Sequence, residues 1–172
     1  MPMTTVTTRP SLDEIRGWLG DVPDPEVPAV SVMDLGIVRD VQWSGDELVV
    51  AITPTYSGCP ATSVIAFDIE TALRQRGIEN LRIERRLSPP WTTDWVTEEG
   101  KRRLEAYGIA PPAEEAGGPS PFERLLRKPL VIACPRCKSE NTRRISEFGS
   151  TPCKAQYQCH DCLEPFDYFK CI

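Results

Sequence analysis

The sequence reads Cys134-Pro135-Arg136-Cys137 and then, after 21 intervening residues, Cys159-His160-Asp161-Cys162. A gap of two residues lets both sulfurs of a pair turn toward one point, and two such knuckles on facing hairpins complete a tetrahedral site of four thiolates. This donor set suits Zn²⁺ or a single iron atom of the rubredoxin type. The spacing therefore predicts a metal site whose ligands are Cys134, Cys137, Cys159 and Cys162.

The segment that holds these pairs, residues 130–172, is expected to be a zinc-ribbon-like metal-binding module. It has 43 residues. A chain of this size buries too little apolar surface to fold alone, so a metal is expected to hold it together. Residues 142–146 and 155–158 are predicted to form its strands. A closed shell of four thiolates leaves no open position for chemistry, which favours a structural role over a redox role.

Three further residues of the module have side chains that can bind metal. His160 lies between two predicted ligands and is expected to be an exposed knuckle residue, because four thiolates already fill the coordination shell. Cys153 and Cys171 are extra cysteines. They either pack as small apolar residues, which is the favoured interpretation, or serve as alternative ligands or as a redox pair.

The composition divides the chain into two unequal parts joined by a connector. Six of the seven cysteines follow residue 130, and seven of the 17 prolines lie between residues 87 and 129. The stretch 111–121 is rich in Pro, Gly and Glu and has little apolar surface to bury, so we expect a Pro/Gly-rich linker over residues 109–129. Residues 130–172 carry a net charge of +1, whereas the rest of the chain carries −6.

The first part, residues 11–108, is predicted to be an α+β domain. Ser11-Leu12-Asp13-Glu14 is a capping-box pattern, and Leu12, Ile15 and Leu19 then repeat at helical spacing. The further predicted elements are strands at 37–43 and 48–52, a helix at 60–77, a strand at 81–83 and a helix at 97–107. The fold class is therefore α+β: a small two-layer α/β sandwich followed by the linker and the four-cysteine ribbon.

The composition of the 172 residues excludes several classes of protein. Hydrophobic residues make up 40% and charged residues 26%, which are the proportions of a globular protein. No apolar run approaches the roughly 20 residues that span a membrane, and the Thr-rich start lacks the apolar core of a secretory signal, so we expect a cytoplasmic protein. A net charge of −5 gives no global basic field for nucleic acid. The single histidine argues against Cys–His catalysis and multi-histidine sites.

The first part contains one cysteine, in Gly58-Cys59-Pro60. If Pro60 is the first helical residue, Cys59 is the N-cap, where unpaired N–H groups and the helix dipole favour an anion, so its pKa is expected to fall. Such a thiolate could hold a soft metal or a labile cluster; the alternative is a buried structural cysteine. Asp34 is a second candidate, read first as a turn or cap residue and second as a functional carboxylate.

Several of these stretches resemble known families, and the resemblance covers nearly the whole chain from Ser11. Four of them are similar to the iron–sulfur cluster assembly family that includes the SufT-like factors: Asp24-Pro25-Glu26-Val27-Pro28, Asp34-Leu35-Gly36-Ile37-Val38, Thr53-Pro54-Thr55 and Gly58-Cys59-Pro60. Four others resemble the narrower PaaD (PaaJ) family of accessory proteins of bacterial ring-1,2-phenylacetyl-CoA epoxidase systems: residues 90–95, 146–151, 153–155 and 164–170.

The resemblance implies an accessory factor of aerobic phenylacetate degradation that helps to mature the epoxidase complex, through iron–sulfur cluster or iron insertion, rather than turning over substrate. The implied partners are the flavin and [2Fe–2S] reductase subunit and the di-iron oxygenase subunit of the phenylacetyl-CoA epoxidase. By position, Cys59 becomes the cysteine for cluster handling, and Asp34 lies in the family signature. The four ribbon cysteines become ligands of a structural zinc, and the cargo is a transient iron–sulfur cluster or iron.

Two other functions are weighed against maturation. An electron-transfer or structural component of the oxygenase complex could use metal in the four-cysteine site; rubredoxin-type iron would colour the protein red, whereas zinc is colourless. A nucleic-acid-binding ribbon is disfavoured because the basic residues of the module, Arg136, Lys138, Arg143 and Arg144, form a modest patch on a segment of net charge +1.

Overall fold

Helix α1 (Leu12–Gly20) opens the computed structural model, which describes residues 9–113 and 131–170. Its start is a capping box: Ser11 Oγ accepts a hydrogen bond from the Glu14 N–H, and the Glu14 carboxylate accepts one from the Ser11 N–H. The helix buries Ile15 and Leu19. The predicted capping box and apolar face are therefore confirmed.

The first sheet has three strands in the order β1-β2-β3, namely β1 (Val38–Ser44), β2 (Glu47–Ile52) and β3 (Leu81–Arg85). Strands β1 and β2 form an antiparallel hairpin whose turn holds Gly45 at a φ of +59°. Strand β3 pairs in parallel with β2, because helix α2 (Thr62–Gln75) carries the chain back across the sheet. Residues 48–52 of the central strand are buried, which explains its continuous apolar run.

The chain after β3 leads through a 3₁₀ turn (Thr93–Trp95) to helix α3 (Glu98–Tyr107). Thr97 caps this helix by accepting the Gly100 N–H, and Gly108 ends it at a φ of +93°. Its start is fastened to the loop before β1, where the backbone carbonyl of Asp34 accepts the Thr97 N–H at 2.8 Å.

The second sheet belongs mainly to the ribbon and has the order β4-β7-β6-β5. Strands β5 (Thr142–Ser146), β6 (Lys154–Cys159) and β7 (Pro165–Phe169) are antiparallel, and β4 (Ile109–Ala110) joins β7 in parallel. Residues 109 and 110, placed at the start of the linker on sequence grounds, therefore form an edge strand of the ribbon sheet. The rest of that linker beyond residue 113 lies outside the described residues.

The ribbon has a small hydrophobic core of its own and adds two residues to the core of the first domain. The larger buried cluster contains the interior of the α+β domain together with Cys153 and Phe169 of the ribbon. The rings of Trp91 and Phe169 meet edge to face, with centroids 6.0 Å apart. In this conformation the ribbon therefore packs against the first domain through Cys153 and Phe169.

Neither described range, 9–113 or 131–170, contains a helix that is long and apolar enough to cross a membrane.

Candidate functional site: a four-thiol site and a buried thiol cavity

The four cysteines of the two knuckles converge at the end of the ribbon. Their sulfurs all lie within 4.8 Å of one another. Two of the separations are 3.7 Å, between Cys134 and Cys162, and 3.5 Å, between Cys137 and Cys159. Zinc–sulfur bonds of about 2.3 Å place the corners of a tetrahedron about 3.8 Å apart. The spacing of the sulfurs therefore fits a tetrahedral ion.

Each knuckle is shaped by a left-handed residue just after its second cysteine. Lys138 has a φ of +63° and Leu163 a φ of +64°. In both knuckles the N–H of the first cysteine donates to a carbonyl five residues later, Cys134 to Ser139 and Cys159 to Glu164. Asp161 then joins the two knuckles, since its carboxylate accepts from Ser139 and Asn141. The matching geometry aims both pairs of sulfurs at one point.

The thiols of this site compete for charge. Backbone N–H groups of Cys162 and Asp161 help to lower the pKa of Cys159 to about 7. The Ser139 N–H acts in the same direction on Cys137, but burial and the three neighbouring sulfurs outweigh it and raise the pKa of Cys137 to about 12. Four thiolates this close repel one another, so full ionisation requires a cation among them.

Cys59 lies ahead of helix α2 and is not its cap. The helix begins at Thr62 with Ala61 as the capping residue. The carbonyl of Cys59 accepts the Thr62 hydroxyl at 2.8 Å and the Thr62 N–H at 3.3 Å. The prediction that Cys59 is the N-cap is therefore wrong, because the backbone makes one more turn between Pro60 and the helix.

Burial raises the pKa of Cys59, and the nearby negative charge of Glu26 adds to the rise; the Ala61 N–H opposes it. The side chain is 9% exposed. The predicted fall in pKa is thus also wrong, because the cost of ionising a thiol away from water exceeds the help from the helix start.

Cys59 is one of the residues that line a small cavity of about 10 Å³. Its polar lining comes from Asp24, Glu26, Thr55 and a second cysteine, Cys153 of the ribbon. Apolar side chains close the remaining walls: Val27, Leu35, Ile37, Ile65 and Phe169. The space is close to that of a single water-sized sphere.

Two carboxylates of the loop before β1 reach this cavity. Asp24 Oδ1 accepts the N–H groups of Glu26 and Val27 at 2.9 and 2.8 Å, which holds the loop in a tight turn. Burial raises the pKa of Asp24. Burial and the charge of Asp24 together raise the pKa of Glu26. Asp24 and Glu26 lie in the stretch 24–28 that carries the family resemblance, and the structure places both residues at the cavity that Cys59 also lines.

Asp34 occupies a different place. Its carboxylate accepts the Ser31 N–H at 3.0 Å and pairs with Arg103 of α3 at 3.1 Å. Asp34 is absent from the lining of the Cys59 cavity. These contacts match the turn-and-cap interpretation, and cluster handling by Asp34 stays a prediction without structural support.

The remaining candidates are His160, Cys153 and Cys171. His160 is exposed on its knuckle, and its N–H donates to the Asn141 carbonyl. Cys153 is buried at the junction with the first domain. Cys171 lies outside the described residues. Sequence reasoning did not predict that Cys153 and Cys59 line the same cavity, since nothing in the local pattern relates residues so far apart.

The fold and its two thiol sites define a class of protein in which an iron–sulfur cluster assembly domain is joined to a zinc ribbon. Residues 12–80 match the family described as iron-sulfur cluster assembly protein, and residues 118–170 match the PaaD zinc beta ribbon domain. A protein of Escherichia coli (strain K12), provisionally named as the D component of 1,2-phenylacetyl-CoA epoxidase, is 48% identical over 163 residues, which cover 95% of this chain and 94% of that protein. The chain belongs to the PaaD family.

Solved structures resemble the first domain. A domain of unknown function (DUF59) from Bacillus anthracis is 26% identical with a TM-score of 0.50, and the match covers 54% of this chain and 89% of that one. A conserved hypothetical protein from Thermotoga maritima is 28% identical with a TM-score of 0.48, covering 56% and 95%. The first of these likenesses supports the α+β fold class.

Proposed function

We propose that this protein is an accessory maturation factor of a phenylacetyl-CoA epoxidase system. It helps to insert iron or an iron–sulfur cluster into a subunit of that system and does not itself turn over the substrate. The proposal draws on the Escherichia coli relative that is named as a component of the epoxidase and on the match of residues 12–80 to an iron–sulfur assembly family.

The observation that carries the proposal is the placement of Cys59. Its thiol shares an enclosed cavity with Glu26, Asp24 and Thr55, all within the segment that matches the assembly family. Thiolate and carboxylate together suit ferrous iron, since the sulfur is a soft donor and the oxygen a hard one. Burial keeps the free thiol protonated, so the site is poised to exchange a proton for a metal ion.

The ribbon has a separate, structural task in this proposal. Cys134, Cys137, Cys159 and Cys162 would hold one zinc ion, whose chemistry there is to fold the ribbon. The fit rests on four converging sulfurs with tetrahedral separations and on their need for a cation. Because these ligands close the shell, cargo is handled elsewhere, at Cys59.

The proposed clients are the iron-containing subunits of the epoxidase, either the reductase with its [2Fe–2S] cluster or the di-iron oxygenase. The proposed place of action is the cytoplasm, where thiols stay reduced; the described cysteines are free.

Replacement of Cys59 by serine tests the proposal. Cys59→Ser is expected to fold normally and to keep one equivalent of zinc, but to leave the epoxidase of cells grown at limiting iron largely inactive. The matched control is Cys171→Ser, which removes a cysteine outside the described residues. Iron and sulfide in the purified reductase and oxygenase subunits are measured in each strain. Full occupancy in the Cys59→Ser strain would overturn the role of the thiol.

Electron transfer through the ribbon is the second candidate, favoured by one observation: Cys137 and Cys162 are exposed, so electrons could reach a metal through them. Protein purified without oxygen separates electron transfer from a structural role of the ribbon. Rubredoxin-type iron gives a red protein with a reversible reduction, whereas a structural zinc site is colourless and silent. A colourless ribbon with one equivalent of zinc excludes this candidate.

A further inference from the structure

Strand β3 forms one edge of the first sheet, and its outer side pairs with no other strand within residues 9–113 and 131–170. Its ladder with β2 runs from residue 81 to residue 85 without a bulge, and the strand contains no proline. Bulges and prolines are two of the devices by which natural proteins keep sheet edges from pairing. Strand β3 is therefore a regular edge that is open to a further strand.

The backbone of β3 uses alternate residues to bind β2. The Leu48 N–H donates to the Asn80 carbonyl at 2.9 Å, and the Arg86 N–H donates to the Ile52 carbonyl at 2.8 Å. Even-numbered residues of β3 therefore face β2, because the hydrogen-bonding groups of successive residues point to opposite sides of a strand. The N–H and C=O groups of residues 81, 83 and 85 point away from the sheet, where the described part of the chain gives them no backbone partner.

The side chains of β3 divide between the two faces of the sheet. Arg82 and Glu84 share one face, where Arg82 Nη1 donates to Glu84 Oε1 at 3.3 Å. The Arg82 side chain is 50% exposed and the Glu84 side chain 36%, so both charges can reach a further strand. Ile83 lies between them on the other face and packs, partly buried, against the core of the first domain. The edge thus presents a cation, an apolar side chain and an anion in a row.

We propose that β3 pairs with β3 of a second copy of this chain, antiparallel about a two-fold axis at Ile83, and so joins the two three-stranded sheets of a dimer. Ile83 then lies opposite Ile83 of the second copy, and Arg82 lies opposite Glu84 of the second copy. The symmetry makes the charged pair twice, so the contact is isologous. The three outward-facing residues of each strand would form about six hydrogen bonds across the axis.

Charge complementarity favours this register and this occupant. Bonded pairs form only between residues whose backbone groups face outward, so neighbouring registers differ by two residues. A shift in one direction places Arg82 opposite Arg82 of the second copy, and a shift in the other places Glu84 opposite Glu84. Opposite charges directly across a strand pair stabilise it, whereas like charges destabilise it. Of the three registers, only the one centred on Ile83 pairs unlike charges at both positions.

Exchange of charges between two variants tests the pairing. In sedimentation equilibrium of full-length, zinc-loaded protein, the 19.3 kDa chain should form a reversible dimer in the micromolar range, because a single strand pair is a small interface. Arg82→Glu and Glu84→Lys each place like charges opposite one another twice, so each variant alone should dimerise at least about tenfold more weakly. An equimolar mixture of the two variants pairs unlike charges at both positions and should recover most of the affinity.

A matched control reverses a charge outside this edge. Glu98→Lys removes the exposed ion pair of Glu98 with Lys101 on α3 and should dimerise as the wild type does. Amide hydrogen exchange gives a second measurement. Higher protein concentration should slow exchange at residues 83 and 85, whereas residues 82 and 84 are already bonded to β2 and should change little.

Three results would overturn the inference. One is a wild type that stays monomeric at millimolar concentration. Another is a mixture that recovers no affinity although each variant keeps the circular dichroism of the wild type. The third is a dimer that is lost in Phe67→Ser but kept in both charge variants, since Val64 and Phe67 of α2 are 47% and 65% exposed and form the competing surface. The proposed role of Cys59 is independent of all three.

Discussion

Two opposing influences decide the ionisation of Cys59. A helix start favours an anion by about 0.3–1 kcal/mol, and that effect fades beyond the first turn. Burial away from water shifts a pKa by up to several units in the other direction. Because Cys59 stands ahead of the capping residue Ala61 and faces Glu26, burial wins. The raised pKa therefore favours the protonated thiol at neutral pH.

Alkylation by iodoacetamide tests this protonation state. The raised pKa of Cys59 means that less thiolate is present at neutral pH than in an ordinary cysteine, whose pKa is about 8.5. We expect Cys59 to react at pH 7 at least roughly tenfold more slowly than a cysteine in an unstructured peptide. Its rate should keep rising above pH 9, as site-resolved mass spectrometry would show. A rate that levels off below pH 8 would contradict the raised pKa.

Gly36 is a position where any side chain would destabilise the fold. It has a φ of +63°, and a Cβ there would lie 2.4 Å from the Trp95 carbonyl oxygen. We expect Gly36→Ala to lower the free energy of unfolding by about 3 kcal/mol, from backbone strain and the clash together. Gly45→Ala is the matched control, since Gly45 has a φ of +59° and open space around it. That control should cost about 1 kcal/mol in urea denaturation, and equal costs would contradict the clash.

At the scale of elements, signals that are local in sequence predicted structure well. The capping box at Ser11 and the turn at Gly45 form from residues that are neighbours in sequence. The first starts α1, and the second joins β1 to β2. Strand β4 has two residues and exists because β7 offers it an edge, so no periodicity could indicate it. The cavity is lined by residues of both modules, and its ribbon residues are Cys153, just before β6, and Phe169 of β7. Cys153 contacts Glu26, which lies 127 positions earlier in the sequence, so no local pattern could predict this contact.

The docking of β7 makes the protection of Cys59 depend on one ring. Phe169 is 1% exposed and packs on Trp91. We expect Phe169→Ala to weaken the junction by about 3 kcal/mol and to speed alkylation of Cys59 by about a hundredfold, because labelling then follows local opening. Phe148→Ala, at an aromatic ring that is 56% exposed, is the control and should leave the rate unchanged. Equal labelling of Cys59 in both variants would show that the ribbon does not cover it.

The whole molecule links the two thiol sites through the ribbon. One end of the ribbon gathers the four metal-ligand candidates, and the other end supplies Cys153 and Phe169 to the shared core. A ribbon of this size depends on its metal for folding. Loss of the ion from the four-cysteine site should therefore open the cavity that Cys59 lines, although the two sites have no residue in common.

Removal of the candidate metal ligand Cys134 tests this dependence. Cys134→Ser is expected to lose one equivalent of metal and to unfold the ribbon, while α1, α2 and the first sheet persist, since their core is mostly their own. Cys59 and Cys153 should then be alkylated as fast as the thiols of an unfolded chain, and chelation of zinc from the wild type should reproduce both effects. Cys171→Ser serves as control and should keep its metal. Protection of Cys59 that survives metal loss would mean that the first domain buries this thiol unaided, and that the ribbon cannot regulate access to it.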